Sequence, residues 1–276
     1  MGFKVFISAD LEGVCGVVHS DQTNPGGRDY ERACRLMTME VNAAVEGAIQ
    51  GGAEEIVVND SHGSMRNIII EELHPKAKLI TGSPKILSMM AGIDETFDAV
   101  FFIGYHAKFG SINAIIDHTI SGSVVRDVSI NGLSVGEVGI NAGIAGYYKV
   151  PVVLVTGDSA VTDEAKKLLG NVFTVKVKEA LGRYSALCLH PSEARELIKS
   201  TAKRALENID SFSPFTFNPP IKLNLTFMNS AMAELATMIP DVRRVDALTV
   251  EYISDDYLKC FKALRSMIYL ASTLVR

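Results

Sequence analysis

The sequence has few aromatic residues, few cysteines, no cluster of basic residues and no long apolar run. Aromatic residues make up 7% of the chain, and the four cysteines form no C-x-x-C pair. This spacing argues against a zinc knuckle or a disulfide framework, so we expect reduced, buried thiols. No apolar stretch approaches the roughly 20 residues needed to span a bilayer, and we therefore expect no membrane partner.

Charge and composition narrow the class of protein further. The formal net charge is −5 without any basic run, which disfavours a nucleic-acid partner and favours a small substrate. The first apolar run reaches Asp10 too soon for a signal peptide, so we expect a cytoplasmic protein. At 276 residues and 47% apolar content, the chain can form one large globular unit or two smaller ones.

Apolar runs and turn signals in the first half predict an α/β fold. Residues 30–51 have helical spacing, and residues 84–92 are expected to form a short helix. Four apolar runs have the composition of strands that are buried on both faces of a sheet, at residues 3–9, 55–58, 99–103 and 151–155, with a shorter candidate at 79–80. This alternation predicts a mostly parallel, doubly wound sheet in the N-terminal half.

From residue 131 onward, the sequence patterns differ from those of the first half. Asn131-Gly132 is a strong hairpin signal and predicts an antiparallel pair of strands, followed by a helix over residues 136–148. Beyond residue 158, half-exposed strands and a helix that we expect Ser192 to cap indicate a smaller α+β region. We therefore assign residues 1–158 to a metal-binding catalytic α/β domain, and residues 159–276 to substrate walls and oligomer contacts.

Two carboxylates directly follow the first predicted strand. Asp10 and Glu12 are two positions apart, so an extended backbone directs both side chains to the same side. Taken alone, the pair could also be solvated loop acids or charges at a helix N-terminus. Two like charges at a buried strand end are unfavourable unless they share a cation or a proton, and a metal ion would meet that requirement.

Imidazole and carboxylate groups follow other predicted strands. His62 and His106 come just after separate buried strands, and open α/β sheets gather their ligand sites at the carboxyl ends of strands. Glu137 lies between glycines at the start of a predicted helix, where it could instead be a first-turn charge. Carboxylate oxygens together with imidazole nitrogens suit zinc better than calcium. Five such groups would serve a bridged two-metal site better than a single tetrahedral centre.

Four short motifs carry a family resemblance. The chain reads S-A-D-L-E-G at residues 8–13, N-D-S-H at 59–62, G-Y-H-A at 104–107 and V-G-E-V-G-I-N-A at 135–142. In order and spacing, these motifs resemble those of the D-aminopeptidase family, the M55 metallopeptidases. The resemblance extends over most of the chain and is sharpest over residues 3–158.

The resemblance implies both a site and an activity. It implies a cytoplasmic aminopeptidase that acts on short peptides with N-terminal D-amino acids such as D-Ala, in a large ring-like homo-oligomer for which a decamer is one candidate size. It also implies that His118 is the catalytic histidine, although Asp117 stands before it where a small residue is expected. Two zinc ions per subunit are implied, with Asp10 bridging them, and the implied ligands are Asp10, Glu12, His62, His106 and Glu137.

Residue chemistry alone leaves other functions open. A two-metal phosphoesterase could use the same ligands, although the chain has no G-x-x-x-x-G-K-[ST] phosphate loop. A non-enzymatic scaffold could close the metal's coordination shell and leave no position for water. For the peptidase, His118 could act as general base and acid or as a donor to the oxyanion, with Glu12 or Glu137 sharing proton transfer.

Overall fold

The computed structural model describes residues 2–275. Strands in this part of the chain are β1 (Phe3–Ala9), β2 (Ala53–Asp60), β3 (Ala77–Ile80), β4 (Ala99–Tyr105), β5 (Val125–Ile130), β6 (Leu133–Ser134), β7 (Val152–Asp158), β8 (Phe173–Gly182), β9 (Ser185–Cys188), β10 (Ile221–Phe227), β11 (Arg243–Arg244) and β12 (Thr249–Ser254). The helices are α1 (Tyr30–Gln50), α2 (Glu137–Tyr147), α3 (Ser159–Leu169), α4 (Pro191–Glu207), α5 (Ser230–Ala236) and α6 (Tyr257–Ser272). Among residues 2–275, every helix is too short or too polar to cross a membrane.

A seven-stranded sheet forms the centre of the fold, with the order β3-β2-β1-β4-β7-β8-β9. All neighbours in it are parallel except β8 and β9. The chain runs outward from β1 to β3 and then returns to β4 on the opposite side of β1. The predicted mostly parallel, doubly wound sheet is confirmed, and its direction reverses between β1 and β4, where such sheets form ligand crevices.

Both faces of this sheet are covered. Along β1, Val5 and Ile7 join a core beneath α1 and α4, whereas Phe6 joins a core on the other face with α2 and α6. Successive strand side chains point to opposite faces, so continuous apolar runs are required when both faces are buried. This is why β4 and β7 are buried at every position.

A second, antiparallel sheet has the order β11-β12-β10-β5-β6. The predicted hairpin is confirmed, because β5 and β6 are antiparallel and Asn131 and Gly132 have φ values of 52° and 82°. Both sheets draw strands from either side of residue 158. The division of the chain at that residue stays a prediction.

Two local predictions are wrong, and two helices, α3 and α5, were not predicted. Residues 84–92 contain one 3-10 turn, at Ser88–Met90, in place of a short helix. Helix α4 begins at Pro191, and its cap is His190, whose Nδ1 accepts the N–H of Ser192 at 3.3 Å. Proline suits the first helical position because it has no N–H to satisfy and its φ is fixed, so Ser192 lies inside the helix. Asp158 caps the unpredicted helix α3 by accepting from Val161 N.

Glu40 on α1 is a buried carboxyl group with a pH-dependent effect on stability. Its Oε1 accepts the N–H of Cys15 at 2.9 Å, and burial raises its pKa from 4.5 to about 7. A folded-state pKa above the unfolded value gives stability that is present at low pH and lost as pH rises through about 7. Above pH 7, the folded protein therefore carries an unfavourable buried charge.

We expect Glu40→Gln to remove this pH dependence. Relative to wild type, its free energy of unfolding should rise by about 2–3 kcal/mol between pH 5 and pH 8, at 1.36 kcal/mol per pKa unit. Urea unfolding of both proteins at the two pH values measures the difference, in which other titrating groups cancel. A constant difference between the two proteins would contradict the shifted pKa.

Candidate metal centre

The loop after β1 is held tightly against the end of β4. Asp10 N donates to Ile103 O and Gly13 N donates to Gly104 O, both at 2.8 Å. A Cβ at Gly13 would lie 1.9 Å from Tyr105 O, and one at Gly104 would lie 2.3 Å from Asp10 O. Glycine at both positions therefore allows the close approach that fixes Asp10 and Glu12 at the reversal point of the sheet.

Asp10 lies between two imidazoles. Its Oδ1 is 3.4 Å from Nδ1 of His62, and its Oδ2 is 3.4 Å from Nε2 of His106. Glu12 Oε2 lies 2.8 Å from the same His62 nitrogen, and Glu137 Oε1 lies 3.4 Å from the same His106 nitrogen. Each histidine thus faces two carboxylates, and Asp10 is common to both groups.

Backbone carbonyls fix the orientation of the imidazoles. His62 Nε2 is 2.7 Å from Thr23 O, and His106 Nδ1 is 3.0 Å from Ala107 O. A carbonyl oxygen only accepts, so each ring donates through that nitrogen. The other nitrogen then points at the carboxylates, and this second hydrogen bond is the usual way in which a metal-binding histidine is oriented.

The carboxylates crowd one another in a buried environment. Asp10, Glu12 and Glu137 are 2–4% exposed. Burial, followed by the charge of Glu12, raises the pKa of Asp10 to about 7. Burial also opposes the charge on Glu137, but the neighbouring His106 holds its pKa at about 2. Without an added cation, this cluster therefore binds protons to balance its charge.

The residues present fit zinc. Asp10 Oδ2 and His106 Nε2 are buried and have no hydrogen-bond partner within residues 2–275. Potential ligand atoms lie within 4.8 Å of one another in two groups, Asp10 with Glu12 and His106, and His106 with His118 and Glu137. Carboxylate oxygens and imidazole nitrogens are the donors that zinc prefers, and unpaired buried donors and acceptors need such a partner.

His118 stands beside this cluster. Its ring stacks on His106 with centroids 4.1 Å apart, and its Nε2 is 3.9 Å from Glu137 Oε1. Its Nδ1 lies 2.8 Å from Ile116 O, which leaves Nε2 free to accept a proton. Burial, followed by the charge of His106, lowers the pKa of His118. The preceding Asp117 is paired with Arg183 and accepts from Gly110 N, so it is committed to partners other than His118.

Lys178 on β8 is a further buried group near the site that the sequence patterns did not identify. The residue is 1% exposed, and its Nζ donates to the carbonyl oxygens of Glu12, Val14 and Val17 at 2.5, 2.9 and 2.5 Å. All three carbonyls belong to the loop that carries Glu12. One ammonium group therefore satisfies three acceptors and fixes the course of this loop.

We expect Lys178→Met to destabilise the protein by at least about 2–4 kcal/mol, because it leaves three buried carbonyls without a donor. Thermal and urea unfolding would measure the loss. Lys176→Met on the same strand is the matched control, since Lys176 is exposed and forms an ion pair with Glu179, three residues along the same strand. Equal stability of the two variants would contradict this role of Lys178.

A cavity of about 130 Å³ opens onto the cluster. It is lined by Asp10, Ser61, His62, Gly63, Met65, Ser88, Met89, His118, Ile120, Glu137 and Arg265. A larger groove of about 390 Å³ lies between α1 and α4, but its lining lacks histidine. Because the proposed ligands Asp10, His62 and Glu137 line the smaller cavity, we take that cavity as the candidate site.

Three comparisons relate the chain to known proteins. The family model described as D-aminopeptidase, Peptidase M55, matches residues 3–266. A D-aminopeptidase of Bacillus subtilis (strain 168) is 38% identical over 271 residues, covering 97% of each chain. A solved structure described as the Zn-dependent D-aminopeptidase DppA from Bacillus subtilis, a self-compartmentalizing protease, has a TM-score of 0.96 at 36% identity, with 99% of each chain covered. The chain therefore belongs to the D-aminopeptidase family, the M55 peptidases.

Proposed function

We propose that this protein is a zinc-dependent aminopeptidase that removes N-terminal D-amino acids, such as D-Ala, from short peptides. The observation that carries the proposal is the position of Asp10, which directs one oxygen toward each of two imidazoles. A carboxylate so placed suits a bridge between two metal ions. The proposed ligands of two zinc ions are Asp10, Glu12, His62, His106 and Glu137.

His118 is proposed as the proton carrier. When bound, zinc supplies a Lewis acid for the scissile carbonyl and lowers the pKa of water toward neutrality. Burial lowers the pKa of His118, and its hydrogen bond to Ile116 O sets the ring orientation and leaves Nε2 as the free nitrogen. Nε2 can therefore take a proton from the attacking water and later deliver it to the leaving amine.

Zinc removal with a panel of substrates tests the proposed activity. Protein purified without chelator should hydrolyse D-Ala-D-Ala, lose this activity on zinc removal, and recover it when zinc is added back. L-Ala-L-Ala tests the stereochemical preference, and an aryl phosphate tests phosphoesterase activity. Undiminished peptide hydrolysis by zinc-free protein would contradict the zinc mechanism, and equal turnover of the two dipeptides would contradict the D-preference.

We further propose that subunits of this protein assemble into a large ring-like homo-oligomer. The related structure is described as self-compartmentalizing. The hairpin of β8 and β9 exposes Leu181 and Leu187 by 71% and 67%, and Ile112 on a separate loop is 86% exposed. Exposed apolar patches are favoured at contacts between protein chains, and we propose that Leu181 and Leu187, which lie on one hairpin, contribute to such a patch. Light scattering coupled to size-exclusion chromatography should give a mass of many subunits, and a monomeric mass would contradict the ring.

A further inference from the structure

Arg265 is a cation in the wall of the catalytic cavity. It lies on α6, more than a hundred residues after the last proposed ligand, and lines the same cavity as Asp10, His118 and Glu137. Among the described residues that line this cavity, it is the single lysine or arginine. The cavity therefore carries carboxylates in one part of its wall and a permanent positive charge in another.

The guanidinium is held in place but retains free donors. Nη2 donates to Tyr269 Oη at 2.8 Å, and the guanidinium carbon lies 4.6 Å from the centroid of that ring. Nε is buried and has no hydrogen-bond partner within residues 2–275. A buried N–H without an acceptor is unfavourable, and a ligand carboxylate in the cavity would supply an acceptor for this donor.

Lys85 is a second cation nearby, and two of the three N–H donors of its ammonium group are engaged within the protein. Its Nζ donates to Asn59 Oδ1 at 2.6 Å and to Asp60 O at 2.7 Å. It lines a neighbouring hollow of about 400 Å³, whose wall Arg265 also shares. The described lining of the catalytic cavity includes Arg265 but not Lys85, so Arg265 is the cation that can meet a ligand there.

We propose that Arg265 binds the C-terminal carboxylate of the substrate and so selects short peptides with a free acid end. This inference rests on the proposed peptidase function. A guanidinium presents several N–H groups that match the two oxygens of a carboxylate, and charge-assisted bonds of this kind are stronger than neutral ones. A short peptide has its carboxylate only a few atoms from the scissile bond, whereas in a long peptide that group lies outside so small a cavity.

The test compares D-Ala-D-Ala with its C-terminal amide, which differs only in lacking the negative charge. For Arg265→Met, we expect kcat/KM for the free acid to fall about 10- to 100-fold, mainly through KM. For the amide, the change should stay within about 3-fold. Arg265→Lys keeps the charge but lacks the planar guanidinium, so its kcat/KM for the free acid should lie between those of wild type and Arg265→Met. If Arg265→Met does not fold, the same comparison is made with Arg265→Lys.

Lys259→Met is the matched control. Lys259 is an exposed cation on the same helix and lines neither hollow, so its loss should change both substrates equally and little. Equal losses on acid and amide in Arg265→Met, or no loss on either, would overturn the inference.

Calorimetric binding separates failure of this inference from failure of the proposed function. If wild type binds the acid more tightly than the amide, Arg265→Met loses that preference, and neither substrate is hydrolysed, the proposed activity would be overturned and the role of Arg265 supported. Wild type that hydrolyses both but binds them equally would overturn the role of Arg265 and leave the peptidase proposal standing.

Discussion

Replacing Asp10 by Asn should abolish zinc binding and lower kcat/KM by at least about 10³-fold, because zinc contributes several kcal/mol to such reactions. The amide keeps the shape of the side chain but removes the charge shared by the two imidazole groups. Asp10 lies 3.4 Å from a nitrogen of His62 and 3.4 Å from a nitrogen of His106, so its loss should affect both metal positions. Zinc content after dialysis and hydrolysis of D-Ala-D-Ala measure the two effects.

Asp158→Asn is the control for this prediction. Asp158 is also a fully buried aspartate at the carboxyl end of a sheet strand, but its oxygens accept from the backbone N–H groups of Ile115 and Val161. Its asparagine variant can still cap α3 and should retain zinc. Full zinc content in Asp10→Asn, or equal loss in both variants, would contradict the proposed ligand set.

His118→Gln should lower kcat about 10²- to 10⁴-fold, the usual contribution of a positioned general acid or base, while zinc content stays unchanged. Measuring zinc content as well as kcat matters, because His118 Nε2 is close enough to Glu137 and His106 to be a zinc ligand itself. Glutamine retains a polar side chain but cannot exchange a proton near neutral pH. Turnover at saturating substrate, with zinc measured on the same sample, separates the two roles.

The outcomes for His118 are distinct from those for Asp10. Loss of zinc in His118→Gln would make His118 a ligand, and an unchanged kcat would remove it from catalysis. Asp117→Asn provides a comparison, because Asp117 is adjacent in sequence but paired with Arg183. We expect that variant to keep kcat within a few-fold of wild type.

The parallel sheet was predictable because strands buried on both faces must be apolar throughout. Residues 3–9 and 99–103 show this, and the acids and histidines that follow such strands fall at the same edge of the sheet. Helix α3 was not predicted because its cap, Asp158, is also the last residue of a strand. The strand signal obscured the start of the helix.

The second layer of contacts around the site could not be predicted from side-chain patterns. The backbone carbonyls of Thr23 and Ile116 orient His62 and His118. Because every residue has a backbone carbonyl, no residue type in the sequence marks these two positions. Lys178 lies in a strand that alternates like a half-exposed one, and only the loop folded over it shows that it is buried. Arg265 reaches the cavity through tertiary packing of α6, which no local pattern encodes.

X-ray diffraction measured on both sides of the zinc absorption edge is the most direct test of the central claim, the assembly of a dinuclear centre around Asp10. Crystals of protein purified without chelator should show two anomalous peaks. One should lie beside His62 and Glu12 and the other beside His106 and Glu137, with Asp10 touching both. A single peak, or peaks elsewhere in the molecule, would contradict the account.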